Sequence, residues 1–224
     1  MKIINEAIQR NQYTLSEYES KQILDTYGIP VTKVVLVDDI ENLLMAIEKI
    51  GYPLVIKGCA RGLSHKTETG LVRLDIRNET EALSAYKDLM GRMQGEEKQV
   101  IVQQMVKGQR ELMVGMIRDP QFGPCVMFGL GGVFTEVLND SVFRVAPLEK
   151  KDAFEMVAEI KGRRILEDFR GMKSVDKKEL AQILVSVGQI GLENDRIKEI
   201  DINPIIITAG KPIAVDALVI LERN

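Results

Sequence analysis

The segment KEIDINPIIITAGKPIAVDALVIL, residues 198–221, restricts the fold more than any other part of the chain. Two apolar runs flank Ala209-Gly210, which reads as a two-residue hairpin turn. Side chains alternate faces along a strand, so Glu199, Asp201 and Asn203 share one face while Ile200 and Ile202 take the other. If Thr208 faces Lys211 across the turn, counting back sets Asn203 opposite Asp216. Asp216 lies within the apolar run AVDALVIL, where a buried carboxylate is costly without a compensating charge. A hard cation supplies such a charge, and an Asn carbonyl with an Asp carboxylate suits Mg²⁺ completed by phosphates and water. The bland alternative puts Asp216 in water on an edge strand and leaves Asp201 and Asn203 to shape the turn before Pro204. The residues by themselves leave both open.

Upstream, helical and strand patterns mix without strict alternation. Thr14 and Glu17 have capping-box spacing ahead of a helix ending near Tyr27, with Gly28 and Pro30 beyond. A strand is expected over 31–37, then a helix capped by Asp38 and running to Gly51, then a short strand over 53–57. A polar loop over 58–70 leads to a strand over 71–76, a helix from Asn78 to about Met93, and a strand over 100–106. Strands are expected over 111–117, 124–128 and 142–145, and helices from about Glu149 and from Asp176 to Leu192. Hairpins in the second half point to an α+β architecture rather than one doubly wound sheet.

Composition narrows the function classes. The formal charge is −3 with both signs interspersed, and no basic stripe or aromatic–basic interleaving argues for nucleic acid. Cys59 and Cys125 form neither a disulfide framework nor a metal-ligand spacing, which fits a reducing compartment. The N-terminal MKIINEAIQRNQ is too polar for a signal-peptide core, and no apolar run is long enough to span a bilayer. A cytoplasmic location with no membrane partner is the expectation.

Several residues carry chemistry in one reading and nothing in another. His65, the single histidine, lies in the loop GCARGLSHKTETGLV; its imidazole can attack a phosphoryl group, or it is a solvated loop residue. Lys57 either places its charge on a nucleotide phosphate or reaches for water from a strand end. A hinge after the strand over 100–106 could read adenine edges, with Glu111 poised for ribose hydroxyls, although any strand–turn–strand looks similar. Gly129, Gly131 and Gly132 permit close backbone approach and an anion-binding arrangement of N–H groups, or form a hairpin corner. Glu136 and Arg144 add a carboxylate and a phosphate-matching fork.

Taken in order, LSEYESKQILDTYGIPV, YPLVIKG, SHKTETG, VQQMVKGQRELMVG, the FGP…FGLGGVFTE…FRVAPL block and EIDINPIII…AVDAL resemble one family closely. This is the ATP-grasp subunit of nucleoside-diphosphate-forming acyl-CoA synthetases, similar to the corresponding subunit of succinyl-CoA synthetases. The resemblance implies an ATP-grasp fold with two α+β lobes and the nucleotide between them. It divides the chain into 1–106 and 107–224, with roughly the first 20 residues packing on the second lobe. The implied reaction is acyl-CoA + ADP + phosphate ⇌ acid + ATP + CoA, run through an acyl phosphate and phosphohistidines.

Residue by residue, the resemblance makes His65 the phosphoryl relay and Lys57 the phosphate-contacting lysine. Gln104, Met105 and Val106 match the adenine hinge, and Glu111 the ribose carboxylate. Asn203 and Asp216 match the Mg²⁺ ligands. Glu136 and Arg144 match positions lining the site, Arg144 counting among the nucleotide-binding residues, and Asp201, beside Asn203 on the strand face, is an additional site candidate. Family members often carry a Gly-Gly pair after the histidine loop; here it is Gly70-Leu71. No CoA-binding segment or second histidine is present, so an α-type CoA-binding partner with its own phosphohistidine is implied, in an α2β2 assembly or as the missing part of a fused chain. Two other readings remain: an ATP-grasp carboxylate–amine ligase, which needs no phosphohistidine, and a non-catalytic nucleotide-sensing module.

Overall fold

The structure, a computed structural model, describes residues 1–59, 70–93, 98–132, 140–168 and 170–223. In chain order the elements are α1 (Lys2–Gln9), α2 (Glu17–Thr26), β1 (Val34–Val37), α3 (Ile40–Ile50), β2 (Leu54–Cys59), β3 (Val72–Ile76) and α4 (Glu79–Arg92). There follow β4 (Gln99–Gln104), β5 (Glu111–Asp119), β6 (Gly123–Leu130), β7 (Ser141–Val145), α5 (Lys150–Glu159) and a 3-10 turn (Arg163–Leu166). The chain closes with α6 (Lys177–Glu193), β8 (Ile197–Thr208), β9 (Lys211–Ala214) and β10 (Leu218–Leu221). Among the described residues no helix is long and apolar enough to cross a membrane.

Helix starts follow side-chain chemistry. Asn78 accepts from the Glu81 N–H at 2.9 Å to cap α4, and Asp176 accepts from the N–H groups of Lys178 and Glu179 to cap α6. The cap of α3 is Asp39 rather than Asp38; Asp38 accepts instead from the Asn42 side-chain amide at 2.8 Å. The α2 helix starts at Glu17, so Thr14 lies outside it, its backbone bridged to Ile220. Helix α1 was not anticipated; its Ile4 and Ala7 are buried on one side, the usual spacing of an amphipathic helix.

The chain divides into two compact units. The smaller comprises Ser16–Tyr18 and Thr32–Val106. Its antiparallel sheet has the order β1-β4-β2-β3. Leu54 and Ile56 of β2 and Val100 and Val102 of β4 share a core with Leu43 of α3 and Leu89 of α4. The larger comprises Met1–Leu15, Glu19–Val31 and Lys107–Asn224. Its antiparallel sheet runs β10-β8-β5-β6-β7, with β9 also paired to β8. Alternate residues, Val114 of β5, Phe128 of β6 and Ile202 of β8 among them, pack with Met156 of α5 and Leu184 of α6. The architecture is α+β with two antiparallel sheets and helices, as the sequence pattern indicated.

Gly108 sits where the chain enters the larger unit. A Cβ there would meet the Ile206 side chain and the Ile207 carbonyl, so a glycine permits the close approach to β8.

Candidate functional site

In the larger unit the terminal hairpin forms with Thr208 opposite Lys211, and the pairing continues to Ile205 opposite Ala214. The paired strand is then interrupted: β9 ends at Ala214, residues 215–217 leave the ladder, and β10 resumes with Leu218 opposite Asp201. The register is the same on both sides of the break, so Asn203 and Asp216 hold opposite positions along the two strands. The Val215 N–H donates to the Pro204 carbonyl at 3.0 Å and pins the interruption. Asp216 accepts from the Ala217 N–H at 2.8 Å.

Ile200 and Ile202 belong to the core, which turns Glu199, Asp201 and Asn203 to the opposite face of the strand. Opposite Asp201 on β5 is Gly115, which adds no side chain there. Burial first, and the nearby Glu199 and Asp216 carboxylates after it, together push the Asp201 carboxyl up to about 6. Asp201 and Asp216 therefore share an electrostatic environment on this face. Among the described residues no three His, Cys, Asp or Glu side chains form a metal cage. The Asn203 amide oxygen and the Asp216 carboxylate are a sparse, hard-oxygen donor pair of the kind that leaves coordination positions to phosphate and water.

Glu111 opens β5 on the face away from the core, since Leu112 and Val114 are core residues. Its carbonyl accepts from the Gly131 N–H at 2.8 Å. Its carboxylate lies over Gly132, which has φ +64° and where a Cβ would collide with it. The expected glycine turn and the expected ribose carboxylate are thus in contact. Arg144 is not brought to this group. It pairs with the core residue Val126, and its guanidinium donates to Glu159 of α5 at 2.7 Å, which places it on the helix side of the sheet. The alternation along β7 is responsible, because Val142, two residues earlier, packs against the core.

In the smaller unit Lys57 lies on β2 between Val72 of β3 and Ile101 of β4. Its Nζ donates to the Glu17 carboxylate at 2.8 Å, and both residues are buried. Gln104 ends β4, its N–H donating to the Lys33 carbonyl at 2.9 Å, and the Met105 N–H donates to the Pro53 carbonyl at 3.3 Å. Val106 is the last residue of this unit, so the expected hinge coincides with the boundary between the units. His65 and Glu136 lie outside the described residues. Two charged groups escaped the sequence reading as site residues. Glu199 was legible by its place beside Asp201 on one strand face. Glu17 was read only as a capping residue, and nothing in the local sequence ties it to Lys57.

A model of the ATP-grasp domain family matches residues 6–221. The beta subunit of acetate–CoA ligase (ADP-forming) I from Pyrococcus furiosus is 46% identical over 224 residues, covering 98% of this chain and 96% of that one. Acetate–CoA ligase (ADP-forming) I from Archaeoglobus fulgidus is 37% identical over 211 residues, covering 92% of this chain but 31% of the longer relative. Acetyl-coenzyme A synthetase 1 of Ca. Korarchaeum cryptofilum, in complex with coenzyme A, Ca-AMPCP and HgCl⁺, matches with a TM-score of 0.94 at 38% identity over 99% of each chain. A Se-Met form of that protein holds coenzyme A and Mg-AMPPCP, with a phosphohistidine segment pointing towards the nucleotide binding site. Its TM-score is 0.87 at 38% identity, again over 99% of each chain. The chain belongs to the ATP-grasp family, as a beta subunit of the ADP-forming acetyl-CoA synthetase type.

Proposed function

We propose that this chain binds Mg-ATP or Mg-ADP and relays a phosphoryl group through His65 to and from an α-type, CoA-binding partner. The overall reaction interconverts acyl-CoA, ADP and phosphate with acid, ATP and CoA. The observation that carries the reading is the shared register that sets Asn203 opposite Asp216 on an acidic strand face. Both offer hard oxygen donors, and Mg²⁺ bound by them supplies charge neutralisation and orientation for the phosphates.

The remaining roles belong to the chain's own groups. Lys57 contributes a point charge to the phosphates from the buried strand β2. The backbone at Gln104, Met105 and Val106 reads the adenine edge, and Glu111 accepts from the ribose hydroxyls. Asp201 adds negative potential beside the metal ligands, and Glu136 is assigned to the site on its motif alone. Arg144 is left out of the nucleotide set, because its guanidinium is bound to Glu159 on the other side of the sheet. His65 attacks the terminal phosphorus of ATP through a ring nitrogen, the bond to the ADP oxygen breaks and ADP leaves. The phosphoryl group of the resulting phosphoramidate then passes to the partner's histidine, which frees the His65 imidazole.

The product bond decides the matter, because a phosphoramidate is labile in acid and stable in base. ATP labelled in its terminal phosphoryl group should leave acid-labile label on the wild-type chain. His65→Ala should lose the label and, with the partner, all turnover, yet still bind Mg-ADP. Wild-type turnover in His65→Ala would overturn the relay and favour a carboxylate–amine ligase or a regulatory module.

A further inference from the structure

Lys57 stands where an ammonium is expensive. All of β2 is buried, and Lys57 itself is only 5% exposed. Leu54 and Ile56 point into the core of the smaller unit, so Lys57 shares the opposite face with Val55. On that face β4 presents Ile101 and Gln103, both buried. An ion taken this far from water costs several kcal/mol unless a counter-charge with good geometry meets it.

The counter-charge is Glu17, whose Oε1 lies 2.8 Å from Nζ and whose side chain is 1% exposed. Residues 16–18 belong to the same compact unit as β2, so the pair is internal to that unit. Glu17 is also the first residue of α2, where the unsatisfied N–H groups of the helix end favour an anion. Both halves of the contact therefore favour an ionic pair. A lysine's four-carbon stem and rotatable head otherwise leave the position of its charge loosely defined. A buried carboxylate at hydrogen-bond distance removes that freedom.

We propose that Glu17 is the positioning residue of Lys57: its carboxylate holds the ammonium charged and in one place to receive the phosphates of the nucleotide. The inference rests on the reading of Lys57 as the phosphate-binding cation. In this role Glu17 acts on the nucleotide through Lys57.

The test is a double-mutant cycle on the full chain, with Mg-ADP affinity measured by calorimetry and folding checked by circular dichroism. Glu17→Gln and Lys57→Met should each weaken Mg-ADP binding by about tenfold. The double variant should bind no more weakly than Lys57→Met alone, since Glu17 has nothing left to position. Glu17→Asp keeps the charge on a shorter stem and should lose less affinity than Glu17→Gln. It carries the same cycle if Glu17→Gln does not fold.

The ways to fail are distinct. Wild-type affinity in Lys57→Met overturns the reading of Lys57 and this inference with it. Weakened binding in Lys57→Met beside unchanged or tighter binding in Glu17→Gln overturns the inference alone. An equal further loss on adding Glu17→Gln to Lys57→Met assigns Glu17 a purely structural role, and also overturns it.

Discussion

Asp201 is an acid by composition and close to half-protonated at mildly acidic pH by position. Its strand turns it away from the core, near Glu199 and Asp216, and burial is the larger cause of its shift, to about 6 from 3.8. A raised carboxyl pKa means that the folded chain binds the proton more tightly than the unfolded chain does. Asp201's contribution is therefore most favourable below about pH 4 and is lost as pH rises through about 6. Two pKa units correspond to at most about 3 kcal/mol by pH 8. In chelator and without nucleotide, Asp201→Asn should be more stable than wild type at pH 8, and the difference should vanish near pH 4. Urea unfolding across that range measures it. A constant difference at all pH values would show that the carboxyl titrates normally.

At the scale of elements, the terminal hairpin was the most legible part of the chain. Its turn, its facing residues and the Asn203–Asp216 register follow from counting back from a two-residue loop. The interruption at 215–217 was not legible, because AVDALVIL reads as one continuous strand and only the pairing partner reveals the break. The position of Arg144 on the helix side follows from alternation with Val142, against what motif resemblance implies. The Glu17–Lys57 pair spans 40 residues, and no local pattern encodes such a contact. Helix α1 shows its apolar spacing only over a single short stretch, too little to stand out beside polar neighbours. Gly108 tests how closely the elements are fitted. Gly108→Ala drives a methyl group into β8 at Ile206 and Ile207 and should cost about 1–3 kcal/mol in thermal or urea unfolding. Gly91→Ala, late in α4 with nothing within 4 Å of the added carbon, should instead be neutral or stabilising by up to about 1 kcal/mol. Equal effects at the two glycines would refute the close approach.

For the whole molecule, the decisive count is of histidines: the chain has one, His65. The proposed relay between two phosphohistidines would need a second imidazole from an α-type partner. Related sequences occur both as a separate beta subunit and within a longer polypeptide. The isolated chain should therefore bind Mg-ADP yet form no ATP from acyl-CoA, ADP and phosphate. Adding an α-type, CoA-binding subunit should restore ATP formation, and the two should co-purify. Asp216→Asn should bind Mg-ADP more weakly and slow the restored reaction without disturbing the association, because it removes a charge from the proposed metal pair and no volume from the fold. Calorimetry on the chain and ATP formation in the reconstituted mixture separate these effects. Full turnover by the isolated chain would remove the need for a partner. Unchanged Mg-ADP affinity in both Asp216→Asn and Asn203→Ala would break the link between the hairpin register and the metal.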